Sequence, residues 1–353
     1  MIEGSATARR GSVRIVFLRA ALVTMLTAIS ALAWLRWDAG QPREQWFAER
    51  HGQLQSTSVE HLETGQSQAA ASVRLTSDSG LEVFLRVIRD AAADDPLPVL
   101  VVLGGHRTGS AAVELFGEVG ERAVVALDYP YNGPQSVGGL VDTTQAIPLI
   151  RKAFLDTPPA VSLAVDWLED QPWVDTTRIV MVGASLGVPF AATAAARDDR
   201  LSGLLLVHGA ADNRLWLQKN IRVGSDFLQP AMATLLHWLA YGPVFRTKEH
   251  VAAVSPRPVL IVGAREDERT PSGQTEVLFD AAREPKMLRW TDGPHLDPGR
   301  SDIIHDLLEI VDEELPFFGL GKGIAWRNGG RLAASRDAEA RRIGLVAQRS
   351  NQP

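Results

Sequence analysis

The most constraining feature of the chain is a short segment in which a strand pattern turns abruptly into a helix pattern. An apolar, β-branched run that begins at Arg178 leads into Gly-Ala-Ser-Leu-Gly, and the alanine-rich residues 188–196 follow. The run predicts a buried strand, and the alanines predict a helix. Ser185 of the pentapeptide is therefore expected on a sharp strand-to-helix turn. Gly183 and Gly187 leave room where the two elements cross closely.

An aspartate and a histidine follow Ser185 in the chain, each just after another strand pattern. Residues 257–264 predict a buried strand, and Asp267 comes directly after it. Residues 286–290 predict a further strand, and His295 lies in the loop that follows. Because open α/β sheets build their sites at the carboxyl ends of parallel strands, we expect the three side chains to converge there.

From about residue 72 to about residue 315, the chain resembles an α/β-hydrolase. The resemblance rests on G-A-S-L-G, on A-R-E-D-E-R-T-P and on G-P-H-L, which are similar to motifs of the dienelactone-hydrolase and acyl-peptidase-like branch. It implies a catalytic triad in the chain order Ser, Asp, His. Ser185 is then the nucleophile, Asp267 the orienting acid and His295 the general base.

The chemistry that such residues perform is acyl transfer through the serine hydroxyl. Serine is a poor nucleophile at neutral pH, so an imidazole takes its proton during attack and later gives it to the leaving group. The negative charge that develops on the carbonyl oxygen needs preorganised N–H donors. We expect them to be the backbone N–H of Leu186 and that of His106, with Gly105 as the alternative. Gly104-Gly105 replaces the His-Gly that usually follows the third strand in relatives.

Several other polar residues compete for these roles. Asp212 also follows an apolar strand pattern and is the alternative acid, although Asp267 precedes the histidine strand and begins a D-x-x-x-P turn. Glu266 is expected to face solvent. His208, at a strand end, is expected to be a hydrogen-bonded structural histidine or to approach the site. His305 is expected on the polar side of a helix.

The sequence carries no metal, nucleotide or nucleic-acid motif. The histidines lack H-x-x-x-H and H-E-x-x-H spacing, the chain has no cysteine, and no glycine-rich dinucleotide fingerprint follows a strand. The formal net charge of −6 argues against nonspecific binding to nucleic acid. We therefore expect cofactor-free chemistry on a small-molecule acyl ester or amide, and the sequence leaves the oligomeric state open.

The N-terminus predicts a membrane helix. Arginines at positions 9, 10 and 14 precede an apolar stretch from Ile15 to Leu35, which is long enough to span a bilayer. Arg19 interrupts the stretch near the cytoplasmic side, where its side chain can reach the interface. The charge bias predicts a single-pass anchor in the cytoplasmic membrane with the catalytic domain outside. The small residues of Ala31-Leu32-Ala33 also match a cleavage site, so a secreted or periplasmic protein after signal cleavage is the alternative.

The remaining patterns predict a mostly parallel sheet with helices on both faces. This agrees with the α/β-hydrolase fold that the resemblance implies. We divide the chain into a signal-anchor or signal peptide at 1–37, a polar linker at 38–71 with a short helix around Trp46, the hydrolase domain at 72–315 and a disordered tail at 316–353. The domain begins with an antiparallel hairpin, and strands then alternate with helices, one of them predicted from Pro159 to Glu169.

A helical insert follows the sixth predicted strand, at residues 212–254. It contains two apolar helical segments without a strand pattern. Such an insert either forms a lid over the site or packs on the side of the domain. If it is a lid, an apolar acyl pocket is expected from Trp216, Phe227, Met232 and Trp238.

Two classes of function fit these observations. The first is a serine hydrolase, most simply a carboxylic ester hydrolase, with a peptidase, amidase or acyltransferase on the same scaffold as variants. The second is a membrane-tethered hydrolase-like module that binds a ligand without catalysis. A complete Ser, Asp, His set in the expected order favours the enzyme.

Overall fold

The computed structural model describes residues 4–64, 67–105, 108–134, 139–221 and 225–321. Within these residues the strands are β1 (Leu54–Leu62), β2 (Gln68–Ser77), β3 (Glu82–Asp90), β4 (Leu97–Leu103), β5 (Ala123–Leu127), β6 (Val174–Ala184), β7 (Leu201–Val207), β8 (Val259–Ala264) and β9 (Lys286–Thr291). The α-helices are α1 (Gly4–Ala39), α2 (Glu44–His51), α3 (Gly139–Glu169), α4 (Val188–Arg197), α5 (Asn213–Asn220), α6 (Gln229–Leu239), α7 (Thr247–Ala253), α8 (Gln274–Ala281) and α9 (Ser301–Glu314).

All these strands belong to one sheet, in the order β1-β2-β3-β5-β4-β6-β7-β8-β9. The first three pairings in that order, β1 with β2, β2 with β3 and β3 with β5, are antiparallel. From β5 to β9 every pairing is parallel. The predicted fold class, a mostly parallel α/β sheet, is confirmed.

The apolar core lies on both faces of the sheet. Along β4, Val99, Val101 and Leu103 pack on the side of α3, α4, α7 and α8, whereas Leu100 and Val102 pack on the side of α9. Both faces of the central strands are thus covered, and all seven residues of β4 are buried. This is why the central strands are continuous apolar runs without alternation in the sequence.

The predicted linker at 38–71 is wrong for most of its length. The short helix around Trp46 is present as α2, but residues 54–62 form β1, which pairs along its length with β2. Every residue of β1 after Leu54 is exposed, so this edge strand has no apolar face that a sequence pattern reveals. It forms because its backbone groups pair with a neighbouring strand.

Two helical predictions also need correction. Helix α3 begins at Gly139, well before the predicted start at Pro159, and Pro148, Pro158 and Pro159 lie inside it. Prolines in a sequence predict the start of a helix, because a proline has no backbone N–H to donate within it. In α3 the packing of the helix on the core outweighs the backbone hydrogen bonds that the three prolines remove. The insert at 212–254 contains α5, α6 and α7, and it follows the seventh strand because β1 adds one to the count.

The predicted start of the tail at residue 316 is wrong. Residues Leu315–Phe318 form a 3-10 turn, and Phe318 and Leu320 are buried. Phe318 lies against Gly203 of β7, where a β-carbon would come within 2.5 Å of the phenylalanine ring. Residues 322–353 lie outside the described residues, so their disorder stays a prediction.

Helix α1 carries the apolar N-terminal stretch. Its segment Val16–Ala39 has a mean hydropathy of 2.0 over its most apolar window, and none of that window is buried in the protein. The segment is 24 residues long, and at about 1.5 Å per residue it matches the roughly 30 Å hydrocarbon core of a bilayer. A membrane anchor and a signal peptide both share these properties.

Candidate active site

The strand-to-helix turn at Ser185 is as sharp as the sequence predicts. Ser185–Gly187 form a 3-10 turn between β6 and α4, and Ser185 has a φ of +54°. A β-carbon on Gly187 would lie 2.2 Å from the carbonyl oxygen of Leu103, and one on Gly183 would lie 2.5 Å from the β-carbon of Ala191. Glycine is required at both positions because the elbow presses against β4 and α4 crosses β6 closely.

The structure brings Ser185, His295 and Asp267 together. Nε2 of His295 lies 2.8 Å from Oγ of Ser185, and Nδ1 of His295 lies 3.0 Å and 2.9 Å from the two carboxylate oxygens of Asp267. Ser185 and His295 are buried, and a cavity opens beside the serine. The imidazole is thus held between hydroxyl and carboxylate in the arrangement of an acid–base relay.

The loop around Asp267 keeps its carboxylate charged. Burial raises the pKa of Asp267, but the hydrogen bond and the charge of His295 and the backbone N–H groups of Thr270 and Arg269 lower it more, to about 2. Those N–H groups donate to Oδ1 at 2.7 and 2.8 Å. A carboxylate that stays ionised at neutral pH can accept the Nδ1–H of His295 and stabilise an imidazolium.

The expected oxyanion donors lie only partly within the described residues. Leu186 lies in the turn that leads into α4, where backbone N–H groups have no carbonyl of a preceding turn to bind, and it lines the cavity beside Ser185. His106 lies outside the described residues. Gly105 faces the serine, since a β-carbon there would lie 3.8 Å from that of Ser185. Tyr129, which the sequence analysis missed, donates its hydroxyl to the carbonyl of Gly104 at 2.8 Å and so holds this loop.

The competing residues have other roles in the structure. Asp212 caps α5, with its side chain accepting the backbone N–H groups of Arg214 and Leu215. Glu266 is exposed, as expected. His305 is on the exposed side of α9 and contacts Glu309 at 3.1 Å. Glu268, to which the sequence analysis gave no role, contacts the candidate base. Its carboxylate accepts the backbone N–H of His295 at 3.0 Å.

Comparisons with known proteins agree with the observed fold. The sequence model of the prolyl oligopeptidase family matches residues 159–292, which include Ser185 and Asp267. The chain has the α/β-hydrolase fold. The family match supports a serine hydrolase of the ester or peptide type.

Two solved structures illustrate the shared fold. An acetyl xylan esterase from Paenibacillus sp. R4 is 16% identical with a TM-score of 0.58, covering 77% of this chain and 90% of the esterase. Acetyl xylan esterase 1 from Thermoanaerobacterium sp. JW/SL YS485 is 15% identical with a TM-score of 0.53, covering 81% of this chain and 97% of the esterase. At these identities the likeness concerns the fold.

One curated protein matches part of the sequence. A dihydrolipoyl dehydrogenase of Chlorobaculum tepidum is 38% identical over 96 residues. The matched stretch is 26% of this chain and spans only 18% of the length of the dehydrogenase.

The cavity beside Ser185 is small and apolar. Its volume is about 60 Å³, whereas a water molecule needs roughly 10–15 Å³. It is lined by Phe154, Ser185, Leu186, Pro189, Phe190, Ala210, Asn213, Trp216, Leu217, Ala240, Gly242 and Phe245.

The insert thus contributes one wall of the cavity, but with a different set of residues from the one predicted. Of the four predicted pocket residues only Trp216 lines the cavity. Phe227 is 90% exposed, and Met232 and Trp238 on α6 are half-buried. Periodicity identified the insert as apolar, but only the packing decides which apolar side chains face the serine.

His208 is the buried neighbour of the candidate base. Its ring centre lies 5.6 Å from that of His295, its Nδ1 accepts the backbone N–H of Leu296 at 2.9 Å, and its Nε2 lies 3.0 Å from Oγ1 of Thr291. These partners assign the proton to Nε2. His208 thus holds the loop that carries His295, so both sequence expectations for it describe part of its role.

The donor atoms of His208, Asp267 and His295 lie within 4.8 Å of one another, close enough to share a cation. Both ring nitrogens of His208 have hydrogen-bond partners, and those of His295 contact Asp267 and Ser185. The cluster therefore fits proton transfer better than metal binding.

His208 is expected to make the protein less stable in mild acid. Burial, and then the nearby His295, lowers the pKa of His208 from 6.5 to about 4. Between these values the unfolded chain binds the proton and the folded protein does not, so the free energy of unfolding falls as the pH falls from 6.5 to 4. In His208→Asn this fall should shrink by up to about 3 kcal/mol, measured by urea unfolding at several pH values.

Asparagine suits the test because His208 has a φ of +49°, which asparagine tolerates better than most residues. His305→Asn on the exposed side of α9 is the matched control. An unchanged pH dependence in His208→Asn would contradict the assignment of a neutral imidazole at this site.

Proposed function

We propose that this protein is a serine ester hydrolase that works through an acyl-enzyme intermediate. Ser185 is the nucleophile, His295 the general base and acid, and Asp267 the carboxylate that orients the imidazole. The single observation that carries the proposal is the hydrogen-bonded chain from Oγ of Ser185 through the ring of His295 to Asp267, with every step at 3.0 Å or less.

The reaction follows from these contacts. Nε2 of His295 takes the hydroxyl proton as Oγ of Ser185 attacks the ester carbonyl, and the N–H groups of Leu186 and of His106, or of Gly105 in its place, stabilise the oxyanion. The imidazolium then protonates the alkoxide as it leaves, and the acyl group remains on Ser185. Water attacks this acyl-enzyme with His295 again as base, which releases the acid and restores the serine.

The size and lining of the cavity favour a substrate with a compact acyl group. Its volume of about 60 Å³ and its aromatic walls at Phe154, Phe190 and Phe245 favour a short apolar acyl chain over a long one. Two of these rings pack edge-on, with Phe190 and Phe245 4.8 Å apart between centres, and their mutual packing resists expansion of the cavity.

A peptidase is the second candidate, because the prolyl oligopeptidase family model matches the part of the chain that carries Ser185 and Asp267. The same residues attack an amide, but His295 must then protonate a poorer leaving group. An acyltransferase would form the same acyl-enzyme, but an acceptor other than water would then attack it. A binding module without catalysis is the remaining alternative.

The test compares substrates on one enzyme. We expect covalent labelling by a fluorophosphonate probe, and a kcat/KM for p-nitrophenyl acetate or butyrate at least about tenfold above that for the dodecanoate, because a long chain overfills the cavity. Aminoacyl p-nitroanilides should react more slowly than the short esters. Faster turnover of the anilides would favour the peptidase, and absence of both labelling and turnover would favour the binding module.

We also propose that α1 is a membrane anchor with the catalytic domain outside the cytoplasmic membrane. Support comes from the arginines that precede the span and from the continuation of α1 as a helix to Ala39, beyond the alternative cleavage site at 31–33. Fractionation with N-terminal sequencing tests the proposal. A mature chain that starts at Trp34 would establish signal cleavage, and protection of the domain from external protease in intact cells would overturn the orientation.

A further inference from the structure

The C-terminal end of α1 is fixed directly to the body of the protein. Among the described side chains of the span, only three are not exposed to solvent. Leu35 and Asp38 are half-buried, and Ala39 is fully buried. Their spacing places them on one face of the last helical turns. Arg43 donates to the carboxylate of Asp38 at 2.8 Å, and Arg151 of α3 lies 3.7 Å from it.

The element that receives α1 is the insert. Helix α1 contacts α6 and the 3-10 turn Gly242–Val244 that follows it. The ring of Tyr241, between these two elements, faces the guanidinium groups of Arg43 and Arg151 at 4.5 and 4.1 Å. Cation–π contacts with two arginines hold the ring in place. A bilayer that contains α1 therefore lies beside the insert.

The insert presents apolar surface that the rest of the protein leaves uncovered. Helix α6 carries three leucines and one tryptophan that are only half-buried, and among its residues Ala233 alone is buried. Just before it, Phe227 is 90% exposed and Leu228 is 50% exposed. Outside α1, Phe227 is the most exposed large apolar side chain in the described part of the chain. Exposure of such large apolar side chains to water is unfavourable, and their burial among apolar groups is favourable.

We propose that the insert docks on the bilayer that α1 spans, with Phe227 and Leu228 among the lipid acyl chains. The proposal rests on the membrane anchor proposed above. The occupant is lipid because Phe227 and Leu228 directly precede α6, an element that contacts the membrane helix. Since Trp216, Leu217, Ala240 and Gly242 of the same insert line the cavity beside Ser185, this docking places the candidate active site at the membrane surface.

The absence of cysteine from the sequence makes a labelling test direct. Full-length Phe227→Cys is labelled at the cysteine with an environment-sensitive fluorophore and reconstituted into phosphatidylcholine vesicles. Its fluorescence is compared between vesicles with and without a lipid that bears a nitroxide on its acyl chain. Leu26→Cys, within α1, reports on the anchor. Val277→Cys, 40% exposed on α8, is the control for a solvent-facing apolar position. We expect the nitroxide to quench the labels at 26 and 227 at least about twofold and to leave the label at 277 unchanged.

The outcomes separate the two proposals. Quenching at position 26 without quenching at position 227 overturns the docking of the insert and leaves the anchor in place. Absence of quenching at position 26 overturns the anchor, and the docking with it. An oxidised Phe227→Cys protein that forms a disulfide-linked dimer instead of a lipid-quenched monomer identifies a second copy of the chain as the occupant, which also overturns the proposal. None of the three substitutions touches Ser185, His295 or Asp267, so turnover of a soluble short ester tests the hydrolase independently.

Discussion

Ser185→Ala is expected to abolish both turnover of p-nitrophenyl butyrate and labelling by a fluorophosphonate, with a loss of about 10⁶ in kcat. The reason is that this hydroxyl supplies the atom that bonds to the acyl group, and it is the hydroxyl that Nε2 of His295 contacts. The fold should remain intact because alanine, like serine, can occupy the turn, whereas a larger side chain would crowd it. Circular dichroism and the midpoint of urea unfolding check this point.

Ser202→Ala is the matched control for that variant. Ser202 donates its hydroxyl to the carbonyl of Ile179 at 3.1 Å, away from the candidate site, and its loss should leave labelling unchanged. His295→Ala should lose nearly as much rate as Ser185→Ala, and the double variant should lose no more, because members of a triad act as a unit. Persistent labelling of Ser185→Ala would contradict the assignment of the nucleophile.

Asp267→Asn is expected to lower kcat by about 10³–10⁴ with little effect on KM for the same ester. Its amide oxygen can still accept the N–H groups of Thr270 and Arg269, so the loop should keep its shape. The amide carries no charge, however, and it cannot stabilise the imidazolium of His295 or fix the proton on Nδ1. The loss should therefore appear in the chemical step.

Asp212→Asn is the control that distinguishes the two candidate acids. Asp212 caps α5, and asparagine is nearly as good a cap as aspartate, so activity should stay within about threefold of the parent protein. If Asp212→Asn were the severe variant and Asp267→Asn the mild one, the acid would come from the end of β7 instead of β8.

The geometry around Ser185 could be predicted because its determinants are local. A β-branched run, a glycine pair and an alanine-rich helix specify the elbow within twenty residues of sequence, and the order of strands after it places Asp267 and His295 at the same edge. Edge strand β1 could not be predicted in this way. Its side chains are exposed after Leu54, so the backbone pairing with β2 that defines it leaves no pattern in the sequence.

The sequence by itself determined the fold class, the candidate triad and the apolar N-terminal helix, because periodicity, glycine sterics and segment length are properties of neighbouring residues. The tertiary structure decided which apolar side chains line the cavity, that His208 holds the His295 loop, and that α1 ends against the insert instead of on a flexible linker. Those features depend on contacts between residues far apart in the chain, such as Leu296 with His208 and Arg151 with Asp38. Such contacts form only when the sheet brings distant segments together, and the free energy of packing selects among the apolar side chains that the sequence offers.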